Sequence, residues 1–307
     1  MTKPVLSGVI PIAPTTFFGD GDLDLASQRR VFDFIIDARS DAVCVLANFS
    51  EQYSLTDAER DQLIDVAMEQ VAGRIPVIVT ASHFSARVTA ERCHRAQTAG
   101  AAAVMLMPPY HGATIRVGDD AVRGYFTTVA EAIDIPIVIQ DSPVSGTTLS
   151  VETLRHLIEI VPNLSYLKLE TPDATIKLIA LLSGGTHGVL GPFDGEEGVN
   201  LGPDLDAGAT GTMPSAMIPD VLGQVVRLHR SGDHAGARSL YEHWLPLILY
   251  ENRLCGLRAT KVLMLEGGII ASEATRAPLT PLSPPIRGGL VDLARRLDPY
   301  ILRWEAR

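Results

Sequence analysis

Short apolar runs alternate with segments of helical period along residues 8–213, and that alternation confines the chain to an α/β architecture. The candidate strands are residues 8–15, 42–47, 76–80, 102–107, 136–140, 165–169, 188–191 and 208–213. Between them Leu25, Val31, Phe32, Ile35 and Ile36 recur at helix spacing, as do Leu63, Ile64, Ala67 and Val71, and Leu154, Leu157, Ile158 and Val161. Thr56 with Glu59 forms a capping box, Ser150 is placed to cap a helix, and Gly73 and Gly100 stand where C-terminal glycines belong. RIPVIVTAS (74–82) echoes DIPIVIQDS (134–142), each with a proline opening the strand, where a missing N–H is tolerated. Strand and helix repeated in this way predict a (β/α)₈ barrel. A doubly wound sheet is the competitor, disfavoured because no G-x-G-x-x-G follows the first strand. The β signal stops at Pro219, so the expected division is a barrel over 1–218 and a helical extension over 219–307.

Composition narrows the functional classes. The 307 residues are 46% apolar and 20% charged, which is ample for a packed core. A net charge of −10 argues against a nucleic-acid partner. No apolar run approaches the roughly 18 residues of a membrane span, and the first residues lack signal-peptide character, so no membrane partner and a cytoplasmic location are expected. Cys44, Cys93 and Cys255 are isolated and read as buried thiols; neither a metal nor a cofactor is implied.

The run LSYLKLETP (164–172) holds a lysine inside an apolar strand. Alternation puts Leu164, Tyr166, Lys168 and Glu170 on one face and Leu167 and Leu169 on the other. In a barrel, Lys168 then lies near the C-terminal strand ends, where such folds build active sites. The chain otherwise relies on arginine for positive charge, and a desolvated lysine can lose its proton and attack a carbonyl, which arginine does not. A plain Lys168–Glu170 ion pair is the competing reading. Further polar residues follow the other strands: Asn48, Ser50 and Glu51; Ser82 and His83; Tyr110 and His111; Gln140 and Asp141; Asp194, Glu196 and Glu197. No His-x-x-x-His pair, Gly-x-Ser-x-Gly elbow or P-loop lysine is present.

The segments GVIPIAPTTF (8–17), LANFSEQYSLTDAER (46–60), MPPYHG (107–112), IQDSPVSGT (139–147), YLKLETP (166–172) and GATGTMPS (208–215) resemble the dihydrodipicolinate synthase and N-acetylneuraminate lyase family over nearly the whole chain. The resemblance implies a class I aldolase-like enzyme with Lys168 as Schiff-base lysine. It also implies a homotetramer, a small 2-keto-3-deoxy sugar acid as substrate, and no metal. Two departures stand out. The family's glycine, two hydroxyl residues, glycine and glutamate after strand two read Ala47, Asn48, Phe49, Ser50 and Glu51 here, and the strand-five tyrosine is Gln140. The pattern is most similar to the branch that dehydrates 2-keto-3-deoxy-L-arabonate to 2-oxoglutarate semialdehyde. The expected catalytic residues are Lys168, Glu170 and Tyr110, and the expected substrate-binding residues are Asn48, Phe49, Ser50, Gln140, Asp194 and Met213. A pyruvate-type lyase, a cyclic imino acid deaminase and a non-catalytic sugar-acid binder are the alternatives.

Overall fold

The computed structural model describes residues 5–111, 115, 117–185 and 188–304; Lys3 and Gly112 lie outside them. Eight strand–helix units follow in order: β1 Gly8–Val9 and α1 Leu25–Asp37, β2 Val43–Val45 and α2 Asp57–Val71, β3 Val77–Thr80 and α3 Ala86–Ala99, β4 Ala103–Leu106 and α4 Asp119–Ala130. The second half comprises β5 Ile137–Asp141 and α5 Val151–Ile160, β6 Leu164–Leu169 and α6 Ala174–Leu182, β7 Gly191–Asp194 and α7 Leu201–Asp206, β8 Gly211–Thr212 and α8 Pro219–Arg230. The strands are parallel in the order β1-β8-β7-β6-β5-β4-β3-β2. Ile12 bridges both Cys44 and Ser215, which closes the sheet into the expected (β/α)₈ barrel. The capping box at Thr56 and the Ser150 cap form as expected.

Three departures have local causes. The first run is interrupted by Pro11 and Pro14, which lack the N–H a ladder needs, so β1 is short and Ile12 adds only a bridge. The seventh strand was expected at 188–191 and instead runs Gly191–Asp194. Pro192 looks like a strand stop, yet its carbonyl accepts from Thr210 N–H at 2.8 Å, so the β8 side of the ladder survives. A bulge where Ile137 and Val138 pair with Leu164 and Tyr166 shifts the start of β6, and Leu164 joins the outer core rather than the face of Tyr166.

Inside the barrel, Ile10, Cys44, Ile78, Met105, Val138, Tyr166, Phe193 and Met213 form a compact core. The Tyr166 and Phe193 rings stack with centroids 6.1 Å apart, and Gly191 leaves them room: a Cβ there would lie 2.8 Å from Tyr166 Cδ1. Leu167 and Leu169 face outward into the second core between strands and helices. The three cysteines are buried free thiols.

Helix α8, expected to open the extension, lies on β1 and β8 as the barrel's outer layer, with Gly223 packed against Val9. Beyond it come α9 His234–Tyr250, a π-helical turn Glu251–Cys255, α10 Arg258–Glu266 and α11 Pro284–Leu297. No helix among the described residues is long and apolar enough to cross a membrane. The extension is pinned to the barrel mouth at Glu51, whose carboxylate pairs with Lys261 Nζ and accepts from Arg276 N–H at 2.9 Å.

Candidate active site

A cavity of about 210 Å³ opens at the C-terminal ends of the strands. Its walls come from Ile12, from Ala47, Asn48 and Phe49 after β2, and from Gln140 on β5 with Ser142, Pro143 and Val144 behind it. Lys168 and Glu170 at the end of β6, and Glu196 and Glu197 after β7, complete it. A larger groove of about 340 Å³ lies on the outer helices, but buried ionisable groups of both signs converge at the barrel mouth.

Lys168 is 3% exposed and ion-paired with Glu170, so the pairing foreseen as the bland alternative exists. It does not remove the amine from reach, because both residues line the cavity. Burial by itself depresses the ammonium's pKa, but the Glu170 carboxylate outweighs it and the net shift is upward. For Glu170 burial pushes the pKa up; Lys168, Ser142 and Gln140 outweigh that and hold the carboxyl below its ordinary value. Gln140 Nε2 donates to both Glu170 oxygens at 3.1 Å, while Gln140 Oε1 is buried without a partner among the described residues. Glycine at 195 is required by this packing: a Cβ there would lie 2.4 Å from Glu170 Cγ.

The structure separates the expected substrate-binding residues. Asn48, Phe49 and Gln140 line the cavity. Ser50 does not: its hydroxyl donates to Ala13 O at 2.6 Å, and its own carbonyl accepts from Thr15 Oγ1 at 2.6 Å. Asp194 also points elsewhere. Because Phe193 faces the barrel interior, alternation turns Asp194 outward, where it accepts from Thr212 Oγ1 at 2.6 Å. There burial, reinforced by the neighbouring Asp204, raises its pKa well above the usual carboxylate range. Met213 lies in the inner core and is not part of the cavity wall. Tyr110 is likewise set back from the wall, its ring edge-on to Tyr53 at 6.4 Å; Tyr53 in turn donates to Asn48 Oδ1 at 2.7 Å.

Glu197 was noted after the seventh strand but not chosen, and the structure brings it to the cavity wall, 7% exposed. Burial raises its carboxyl to about 7 despite the opposing pull of Lys168, and Asn252 Nδ2 donates to Oε2 at 2.8 Å. The sequence signal was the acidic pair between glycines in GEEG; the left-handed backbone that aims it inward, φ 50° at Glu196 and 61° at Glu197, is not written in residue type. Among the described residues, one group of metal-ligand type converges: Asp206, His229 and His234, on the outer helices and away from the cavity wall.

The sequence profile of the Dihydrodipicolinate synthetase family matches residues 5–296. The chain belongs to the dihydrodipicolinate synthetase family. Among curated members it is 50% identical over 303 residues, 99% of this chain and 98% of the relative, to the L-2-keto-3-deoxyarabonate dehydratase of Azospirillum brasilense. It is 29% identical over 294 residues, 94% of this chain and 93% of the relative, to the 4-hydroxy-tetrahydrodipicolinate synthase of Thermomicrobium roseum. Solved members of the dihydrodipicolinate synthetase family superpose throughout. Dihydrodipicolinate synthase from Rhodopseudomonas palustris gives a TM-score of 0.88 at 29% identity, covering 96% of this chain and 98% of its own. A prophage family member of E. coli K12, solved in complex with pyruvate, gives 0.89 at 25% identity, covering 96% and 100%. The family reading drawn from residues such as those around Lys168 therefore holds, and so does the barrel.

Proposed function

We infer that the protein is a Schiff-base-forming dehydratase converting 2-keto-3-deoxy-L-arabonate to 2-oxoglutarate semialdehyde and water. The observation that carries this reading is the Lys168–Glu170 pair lining one cavity, in a chain half identical to a dehydratase of that substrate. A solved relative holds pyruvate, which has the same 2-keto acid head.

Lys168 Nζ passes a proton to Glu170 within the pair, and the neutral amine adds to the C2 carbonyl. Glu170 returns that proton to the carbinolamine hydroxyl, which leaves as water and gives the iminium. The iminium acidifies the C3 protons; Glu170, again a carboxylate, removes one, and the resulting enamine expels the C4 hydroxyl as a second water. Hydrolysis of the imine later takes one water back, so one water is lost per turnover. Gln140 holds Glu170 through both oxygens and leaves Oε1 to accept from a substrate hydroxyl. The substrate carboxylate lies against the Asn48 and Phe49 wall. Ser50 takes no part, since its hydroxyl is spent on Ala13. Tyr110, set back behind Tyr53, is given no proton-transfer step. A homotetramer and a cytoplasmic location accompany the reading, the former checked by sedimentation.

Mass spectrometry after borohydride reduction with 2-keto-3-deoxy-L-arabonate tests residue, intermediate and substrate together. Reductive labelling at Lys168, with 2-oxoglutarate semialdehyde as the product of turnover, is expected. Release of pyruvate or ammonia would replace the dehydratase reading with a lyase or a deaminase, and tight binding without labelling would leave a binder.

A further inference from the structure

Loss of the C4 hydroxyl as water needs a proton, and the dehydratase chemistry so far assigns it no donor. The geometry points to Glu197 as the second catalytic carboxyl, delivering a proton to the C4 hydroxyl and then, as carboxylate, taking one from C5. This rests on the dehydratase reading above and assigns it a step that reading leaves without a donor.

Four observations converge. Glu197 lines the same cavity as Lys168 and Glu170 but enters it from β7 rather than β6, so the two carboxyls approach a ligand from different walls. Consecutive non-glycine residues at φ 50° and 61° hold Glu196 and Glu197 in the left-handed region, strain of a kind that persists where the surroundings impose it. Asn252, on the π-helical turn, donates to Oε2 at 2.8 Å, and among the described residues Oε1 accepts no hydrogen bond. The charged and titratable groups acting on it are Lys168, Glu170, Glu196 and, on the same turn as Asn252, Glu251; burial comes first among the influences, and the carboxyl sits at about 7, which suits both giving and taking a proton.

The step balances. Removal of a C3 proton by Glu170 gives the enamine, and its electron pair forms the C3–C4 double bond as the C4–O bond breaks. The departing oxygen takes the Glu197 proton and leaves as water. The Glu197 carboxylate then removes a C5 proton, giving a dienamine with an enol at C5. Protonation at C3 by Glu170 and at C4 by Glu197 yields the C5 aldehyde, and the enol proton, passed through solvent, restores Glu197 to the acid form in which it began. Imine hydrolysis frees the product, and no oxidant or reductant is involved.

Pyruvate separates the two carboxyls because it has no C4 hydroxyl: its imine formation and methyl exchange need only Lys168 and Glu170. In Glu197→Gln, borohydride trapping of pyruvate and deuterium exchange at its methyl in D₂O should persist, with a pH midpoint moved down because Glu197 also raises the Lys168 pKa. Dehydration of 2-keto-3-deoxy-L-arabonate should fall about 10² to 10⁴-fold, and reduction should trap the substrate adduct at its intact mass. Glu197→Asp, which keeps the carboxyl, should recover part of the loss. Wild-type dehydration in Glu197→Gln would overturn the assignment, as would equal loss of pyruvate exchange, which would mark a general effect on the site. If wild-type enzyme traps neither keto acid, the dehydratase reading itself fails.

Discussion

The Glu170 carboxylate closes an ion pair on Lys168, two residues back along the same strand end, while Gln140 anchors its far side through both oxygens at 3.1 Å. The arrangement gives one carboxylate two duties: it keeps a buried ammonium charged at rest, and it stands ready to take that amine's proton when a ketone arrives.

Replacing Glu170 therefore has separable effects. In Glu170→Gln the influence that raises the Lys168 pKa is removed while the burial that lowers it remains, so the amine loses its proton at lower pH. The pH midpoint of imine formation with pyruvate, followed by borohydride trapping, should move down relative to wild type. Turnover should fall about 10² to 10⁴-fold, as for loss of a general base. Lys168→Arg should abolish trapping altogether. An unchanged trapping midpoint in Glu170→Gln would show that the pair does not control the amine.

Gly195→Ala tests position without touching a charge. The new Cβ would lie 2.4 Å from Glu170 Cγ and 2.8 Å from Leu169 O, so Glu170 must shift from its present position. A displacement of about 1 Å at a reacting group can cost on the order of 10²-fold in rate, and kcat should fall on that scale. Pyruvate trapping should persist, because Lys168 is not displaced directly. Steady-state kinetics beside trapping yield check both halves.

The barrel was legible because its evidence is local: each strand and helix announces itself through period and caps, as Thr56 and Ser150 show. The site was legible only in part. Lys168 stood out as a lysine in a chain that favours arginine, yet Lys177 and Lys261 are buried as well and are paired with Asp141 and Glu51. Position at a strand end, not residue type, separates Lys168 from them. Ser50 and Asp194 failed for a different reason. Hydroxyl and carboxyl chemistry can be read from sequence, but whether the group faces the cavity or the surrounding backbone depends on rotamer and strand parity. Parity was lost at the seventh strand, where Pro192 disguised the register. Glu197 was hidden by backbone conformation that no pattern encodes.

Glu251 predicts a pH-dependent stability. Burial raises its carboxyl to about 8, with Glu197 adding to the shift, and Ser215 and Thr260 hydroxyls donate to it at 2.8 and 3.1 Å. The folded state thus holds a proton that the unfolded chain releases near the ordinary glutamate value of 4.5. Between those values the folded state binds more protons, so this group's stabilisation is complete below about 4.5, falls as pH rises, and is lost above about 8. Thermal melts across that window should decline less steeply in Glu251→Gln, which stays neutral in both states. Parallel profiles for the two proteins would mean that Glu251 is ionised in the fold.

The extension's attachment gives the last test. Lys261 is fully buried, pairs with Glu51, donates to Ala274 O at 2.8 Å, and lies 4.6 Å from the Phe17 ring centroid. Arg276 reaches the same ring at 4.5 Å and pairs with Glu59, so α10 and the segment after it are tied to the loop that follows β2. Lys261→Met fills similar volume but leaves the Glu51 carboxylate buried with one N–H donor, a loss that for buried pairs costs about 3 to 5 kcal/mol. The double variant Lys261→Met, Glu51→Gln removes the stranded charge and should recover part of that loss in urea unfolding. Because Glu51 follows the Asn48 and Phe49 wall, the single variant should also raise KM for the keto acid more than it lowers kcat. A stability loss with unchanged KM would show that the extension braces the fold without shaping the cavity.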